Sequence, residues 1–282
     1  LIDDPELTAI EPVSSTVLSA GDSPLYDFEL MMNGGSIKGW KITDSKTIQG
    51  FSEALERLAS PTVFSNKYNV TGNTPVLLYA VGDGNHSLAS AKCHWEELKS
   101  KGASPDHPAR FALVEIVNVH DNGIVFEPIH RVIFNVCFEE FIDSLLDYFK
   151  GGASYATTDA LKTAKDDPSA ACHAIPVCSE NENGIIYIDK TVHTLAVGAV
   201  QTFINSYASV NKEIKVDYIH GDNVAETLGR KSGSVGIMLP PMSKSDLFLT
   251  VIKNGSLPRK TFSMGEAFEK RYYIECRKIA EK

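Results

Sequence analysis

The chain has 282 residues, 43% hydrophobic and 22% charged, values that exclude disordered and fibrous classes and suit one large domain or two ordinary ones. Acidic residues outnumber basic ones by 36 to 27, for a formal charge of −9. Such a chain repels a phosphate backbone unless a Lys/Arg-rich block overrides the balance, and none is present, so nucleic acid is not the expected partner. No apolar run approaches the ~20 residues of a membrane span and no leader precedes Leu1, so the sequence reads as a soluble, cytoplasmic protein.

Residues 1–42 read as short strands and turns: Thr8–Ile10, Ser15–Leu18 and Tyr26–Met32, with hairpin-turn chemistry at Asn33-Gly34-Gly35. An amphipathic helix follows from Asp44, with Ile48, Phe51, Leu55 and Leu58 on its buried face and Pro61 as terminator. The apolar run Val76–Val81 predicts a strand buried on both faces, leading through Gly82-Asp83-Gly84-Asn85-His86 into a helix over Ser87–Lys101 with Leu88, Ala91, Trp95 and Leu98 on one stripe. Phe111–Val119 and Ile124–Phe134 predict a hairpin closed at Asn122-Gly123. Glu139–Lys150 is a short amphipathic helix, and a lobe junction is expected between Gly151 and Ser179. Beyond it strands at Ile185–Ile188, Ile214–Ile219 and Val235–Leu239 alternate with helices at Val197–Val210, Asp222–Leu228 and Ser243–Lys253. The expected class is α+β, with mixed sheets and flanking helices. A motif-bearing lobe is expected over 1–136 and a βα-alternating lobe over 137–282, unless the two form one continuous domain.

The chemistry concentrates after Val81. Gly82 and Gly84 let the backbone turn tightly and approach a ligand, and the first amides of the following helix favour negative charge. Asp83, Asn85 and His86 add a carboxylate, an amide and an imidazole within one turn of chain, with Ser87 next. The plainer reading is a strand-to-helix turn capped by Asn85 or Ser87. His130 and Arg131 are neighbours in a strand and face opposite ways, so only one can enter a given site; Arg131 has the planar fork that suits phosphate or carboxylate. The bland alternative is a surface Arg beside a core His. His220-Gly221-Asp222 repeats the strand-end design, with Asp222 equally readable as a helix cap.

Asp83, His86, His130, His220 and Asp222 offer metal-binding types but no His-x-x-x-His spacing, so a Mg²⁺ carried by a nucleotide is expected rather than a dedicated metal site. Ser87 lacks a Gly-x-Ser-x-Gly elbow, and Cys93 has no evident base. The five cysteines are odd in number and contain no C-x-x-C, the pattern of buried free thiols in a reducing compartment. The basic clusters Pro258–Ser263 and Glu269–Tyr273 read as solvated terminal faces.

Val81–Ala89, Glu127-Pro128-Ile129-His130-Arg131, Asp217–His220, Leu239-Pro240-Pro241 and Pro258-Arg259-Lys260-Thr261, in this order, resemble the prokaryotic family known as domain of unknown function 1015. The resemblance implies a further N-terminal region, in keeping with a first residue that is not Met. Where most of that family has an Arg in the loop, this chain has Ser87. The loop also looks like the phosphate-binding turn of ParB/sulfiredoxin-like proteins, which implies nucleotide phosphates held by loop amides while Asp83 or His86 activates a hydroxyl or positions Mg²⁺. The expected function is a nucleotide- or phosphate-binding enzyme acting on a small molecule, a phosphotransferase or phosphohydrolase with Asp83 and His86 catalytic. Gly82, Gly84, Asn85, Ser87, His130, Arg131 and His220 would bind its ligand. The alternative is a non-catalytic, ParB-like ligand-binding or regulatory module.

Overall fold

The computed structural model describes residues 1–161, 167, 169–258, 260–265 and 273–280, and its architecture is α+β. Two compact units form, Leu1–Ile124 with Ala267–Lys282, and Val125–Glu266. Among the described residues no helix is long and apolar enough to cross a membrane.

The first unit opens with α1 (Ile10–Ala20), a helix where strands were expected. The β-branched Val13, Thr16 and Val17 suggest strand, but the buried Asp4 carboxylate accepts the N–H groups of Thr8 and Ala9 at 2.6 and 2.8 Å and so launches a helix. β1 (Tyr26–Glu29) and β2 (Ser36–Gly39) form the expected hairpin across Asn33–Gly35, whose Asn33 and Gly35 take positive φ. α2 (Ser45–Leu58) forms as anticipated, and the Asp44 carboxylate caps it by accepting the Thr47 N–H at 2.8 Å. Its Ala54, Phe51, Leu55 and Leu58 pack with Ile2, Ala9 and Ile116. Pro61 does more than end α2: it is the first residue of α3 (Pro61–Tyr68), where a missing N–H does no harm.

Three further expectations fail in this unit. Val76–Val81 is not a strand, and Tyr79 and Val81 are about half exposed. A ladder needs a neighbour, and among the described residues the run exchanges backbone hydrogen bonds only at Ala80, with Leu1. Phe111–Val119 likewise pairs only near its end, where Ile2 bridges Asn118. The Asn122-Gly123 turn forms, with the Asp121 carboxylate accepting the Gly123 N–H at 2.7 Å, yet it closes no hairpin. α4 (Asn85–Ser100) is present, but no residue of its expected apolar stripe is fully buried.

The second unit contains β3 (Phe126–Phe134), α5 (Phe138–Phe149), β4 (Ala153–Thr157), β5 (Cys172–Cys178), β6 (Asn183–Asp189), α6 (Ala196–Val210), β7 (Lys215–His220), α7 (Asp222–Gly229), β8 (Ser234–Ile237), α8 (Lys244–Asn254) and β9 (Phe262–Met264). The strands form one sheet in the order β4-β6-β5-β8-β3-β7, with β9 also on β3. Its pairings are antiparallel, not mixed. The βα alternation suggested parallel neighbours, but β3 lies between β7 and β8 and runs against both.

Alternation along β3 sorts the two faces of this sheet. Ile133 joins Phe141, Leu145, Val200, Phe203, Ile175 and Ile186 in the main core beneath α5 and α6. Val132, on the other face, joins Cys178, Met238 and Ala225 of α7. α7 lies very close to β8: a Cβ at Gly229 would fall 2.6 Å from the Gly236 backbone. Of the five thiols, which are free, Cys178 alone is buried, and burial pushes it up to about 11. Cys93, Cys137 and Cys276 are exposed, against the expectation of buried thiols, because each sits on the solvent side of a helix, a helix cap or the tail. Of the expected basic cluster Glu269–Tyr273 only Tyr273 is described, and Arg259 also lies outside the described residues.

Candidate functional site

α4 begins at a left-handed glycine. Gly84 has φ 77° and ψ 15°, and no side chain caps the helix, neither Asn85 nor Ser87. The first intrahelical bond is Leu88 N–H to Gly84 O, which leaves the amides of Asn85, His86 and Ser87 open. Asp83 braces the turn, its Oδ1 accepting the Gly84 N–H at 2.7 Å. Asp83, Asn85, His86 and Ser87 are exposed, and Gly82 is half-buried without a positive φ. The loop thus presents one carboxylate, one imidazole and three unbonded amides to solvent from the end of a 16-residue helix. Such an end attracts anions.

A second helix start in the other unit uses the same device. Gly221, with φ 89° and ψ 128°, precedes α7, again without a side-chain cap. Asp222 is therefore the first helical residue and not the expected cap. Here the helix end opens into a cleft of about 450 Å³ lined by Glu127, Pro128, His130, His220, Asp222 and Val224, among others. His130 is 1% exposed, and its Nδ1 accepts the Leu239 N–H at 3.0 Å. That bond keeps Nδ1 unprotonated and places the ring proton on Nε2. Nε2 lies 2.7 Å from Asp222 Oδ1, yet the approach is off the N–H direction and makes no aligned hydrogen bond. Burial pulls the imidazole below its usual range, against the upward pull of Asp222.

Arg131 takes the other face, as strand alternation requires. It is fully buried and does not line the cleft. Nε donates to Gln201 Oε1 at 3.1 Å and Nη1 to the Ile129 carbonyl, while Nη2 has no partner. The guanidinium lies 4.8 Å from the centroid of the Tyr218 ring, which Lys260 also approaches at 5.0 Å. Burial lowers its pKa to about 10. The structure therefore brings His130, His220 and Asp222 together and sets Arg131 apart from them.

Sequence reasoning missed a third polar centre. Asp3, 9% exposed, accepts hydrogen bonds from Tyr68 Oη at 2.6 Å and His120 Nε2 at 2.6 Å, and pairs with Lys67 Nζ at 2.9 Å. Burial pushes this carboxyl up, but the three partners outweigh it and the net shift is downward. The residues stand 65 and 117 positions apart, so no local motif could announce them. Every oxygen of Asp3 is engaged, which makes this a structural clasp.

Among the described residues no three His, Cys, Asp or Glu side chains converge as a metal site would require. No curated protein matches the chain. Among solved structures, a conserved hypothetical protein from Pyrococcus furiosus is similar at 14% identity, over 77% of this chain and 84% of its own, with a TM-score of 0.43. The family described as protein of unknown function DUF1015 matches residues 1–216, more than three quarters of the length. The chain belongs to the DUF1015 family.

Proposed function

We propose that this protein is a small-molecule enzyme that binds a nucleotide or phosphate at the Gly82–Ser87 loop, as a phosphotransferase or phosphohydrolase. The carrying observation is the uncapped start of α4: three open amides at the positive end of a long helix, with Asp83 and His86 exposed beside them. The likeness of this turn to ParB/sulfiredoxin-like loops supports the same reading. In it, the amides of Asn85, His86 and Ser87 hold phosphate oxygens where charge develops, and Asp83 or His86 accepts the proton of an attacking hydroxyl. A Mg²⁺ would be borne by the nucleotide, with Asp83 as the carboxylate nearest to receive it.

Thermal-shift measurements against ATP, ADP, CTP and inorganic phosphate test this reading. Stabilisation by at least one of them is expected, lost in Gly84→Ala, where the turn is strained and the amides are misaligned. No stabilisation by any of the four overturns it. Asp83→Asn should abolish turnover while ligand binding persists. Binding without turnover of any substrate by the unsubstituted protein would assign the loop to a non-catalytic sensor instead.

A further inference from the structure

The cleft at the start of α7 holds donors in search of an acceptor. The amides of Asp222, Asn223 and Val224 precede the first intrahelical bond, Ala225 N–H to Gly221 O, and donate to nothing. Their end of the helix carries partial positive charge. Behind them the His130 ring, almost wholly buried, aims its Nε2 into the same cleft with no aligned hydrogen bond. A buried donor left unmade costs more than a bond made there would contribute, so a built structure that keeps one open marks a place for a partner.

The Leu239 N–H on Nδ1 also decides what kind of partner. With the ring proton on Nε2, His130 has no lone pair facing the cleft and is no metal ligand. It is a neutral donor, and burial keeps it so. What it contacts is the carboxylate of Asp222, a side chain 59% exposed and free to turn outward. That carboxylate stands where an anion's oxygen would stand.

We propose that this cleft is an oxyanion-binding site in which His130 Nε2–H and the first amides of α7 hold a phosphate or carboxylate group and Asp222 is an internal occupant that the ligand displaces. The cleft volume admits a small organic body as well as the anion. Glu127 also lines the cleft, and its carboxylate disfavours further negative charge on that body.

The test is a titration of the whole ¹⁵N-labelled chain with inorganic phosphate and, separately, acetate, reading imidazole nitrogen resonances and the dissociation constant. The expected result is a shift of His130 Nε2 and about tenfold tighter binding in Asp222→Asn, which keeps every donor and removes the competing carboxylate. A gain for phosphate identifies a phosphate ester as ligand, and a gain for acetate a carboxylate. Asp222→Asn binding neither anion more tightly, with His130 unmoved in the unsubstituted chain, overturns the proposal. Because Asp222 is exposed, the variant is expected to fold. Gly84→Ala should leave the gain intact. The His130 shift and the gain in Asp222→Asn report on this cleft, whereas the loss of the nucleotide response in Gly84→Ala reports on the loop.

Discussion

The two glycine-led helix starts make an instructive pair. Gly84 and Gly221 both take positive φ, both precede a helix with no side-chain cap, and both leave three amides unbonded. The start of α4 is open, with Asp83, Asn85, His86 and Ser87 exposed on the loop itself. The start of α7 is backed by a buried imidazole fixed in one tautomer by a backbone amide from another segment. The same local device gives an exposed helix end in one unit and a shaped cleft in the other, because what lies behind a helix end decides how specific it can be. Buried polar groups differ in parallel. Asp3 of the first unit is saturated by Tyr68, Lys67 and His120, whereas Nε2 of His130 in the second meets the Asp222 carboxylate at 2.7 Å without an aligned hydrogen bond. Saturation marks a clasp; a misaligned pair at a cleft leaves room for exchange.

The comparison can be broken most sharply at Asp3. Asp3→Ala removes the acceptor for three partners and should destabilise the protein by about 3 kcal/mol in urea unfolding, since breaking one side of a buried pair leaves the other uncompensated. A loss below about 1 kcal/mol would deny it the role of clasp. Next come the glycines, where a Cβ meets nothing within 4 Å at either position and the whole penalty is backbone strain. Gly221→Ala, with ψ 128° outside the left-handed helical well, should cost about 2–3 kcal/mol. Gly84→Ala, within that well at ψ 15°, should cost about 1 kcal/mol. Equal penalties would mean that the two turns are held alike.

The smallest effect is a difference in pH window. His130 binds its proton less readily folded than unfolded, so its contribution is complete above the unfolded value of 6.5 and declines as pH falls below it. The Asp3 carboxyl is depressed below 3.8, so its contribution is complete above that value and is lost only as pH falls through the lower folded pKa. Hydrogen exchange followed from pH 7.5 to 4.5 should show the sheet around His130 losing protection while the Asp3 clasp holds, and His130→Gln should remove the decline. Simultaneous loss in both regions would contradict this assignment.

Much of the molecule was legible in the chain, for reasons that are local. The Asp44 cap and apolar stripe of α2, the Asn33–Gly35 hairpin, the helices α5 and α6 and the glycine turn before α4 all depend on residues within a few positions of one another. Alternation alone separated His130 from Arg131, and the order of strand-like and helical segments set the α+β class within reach. Tertiary structure decided the rest. Val76–Val81 and Phe111–Val119 carry strand-like composition but form no extended ladder among the described residues, while β3 finds β7, β8 and β9, all from far along the chain. Arg131, a plausible phosphate fork by type, becomes a buried cation over Tyr218. Periodicity states which face of an element is apolar. Which partner covers that face, and which buried donor is left without an acceptor, depends on contacts between residues up to more than a hundred positions apart, and only the folded chain brings those together.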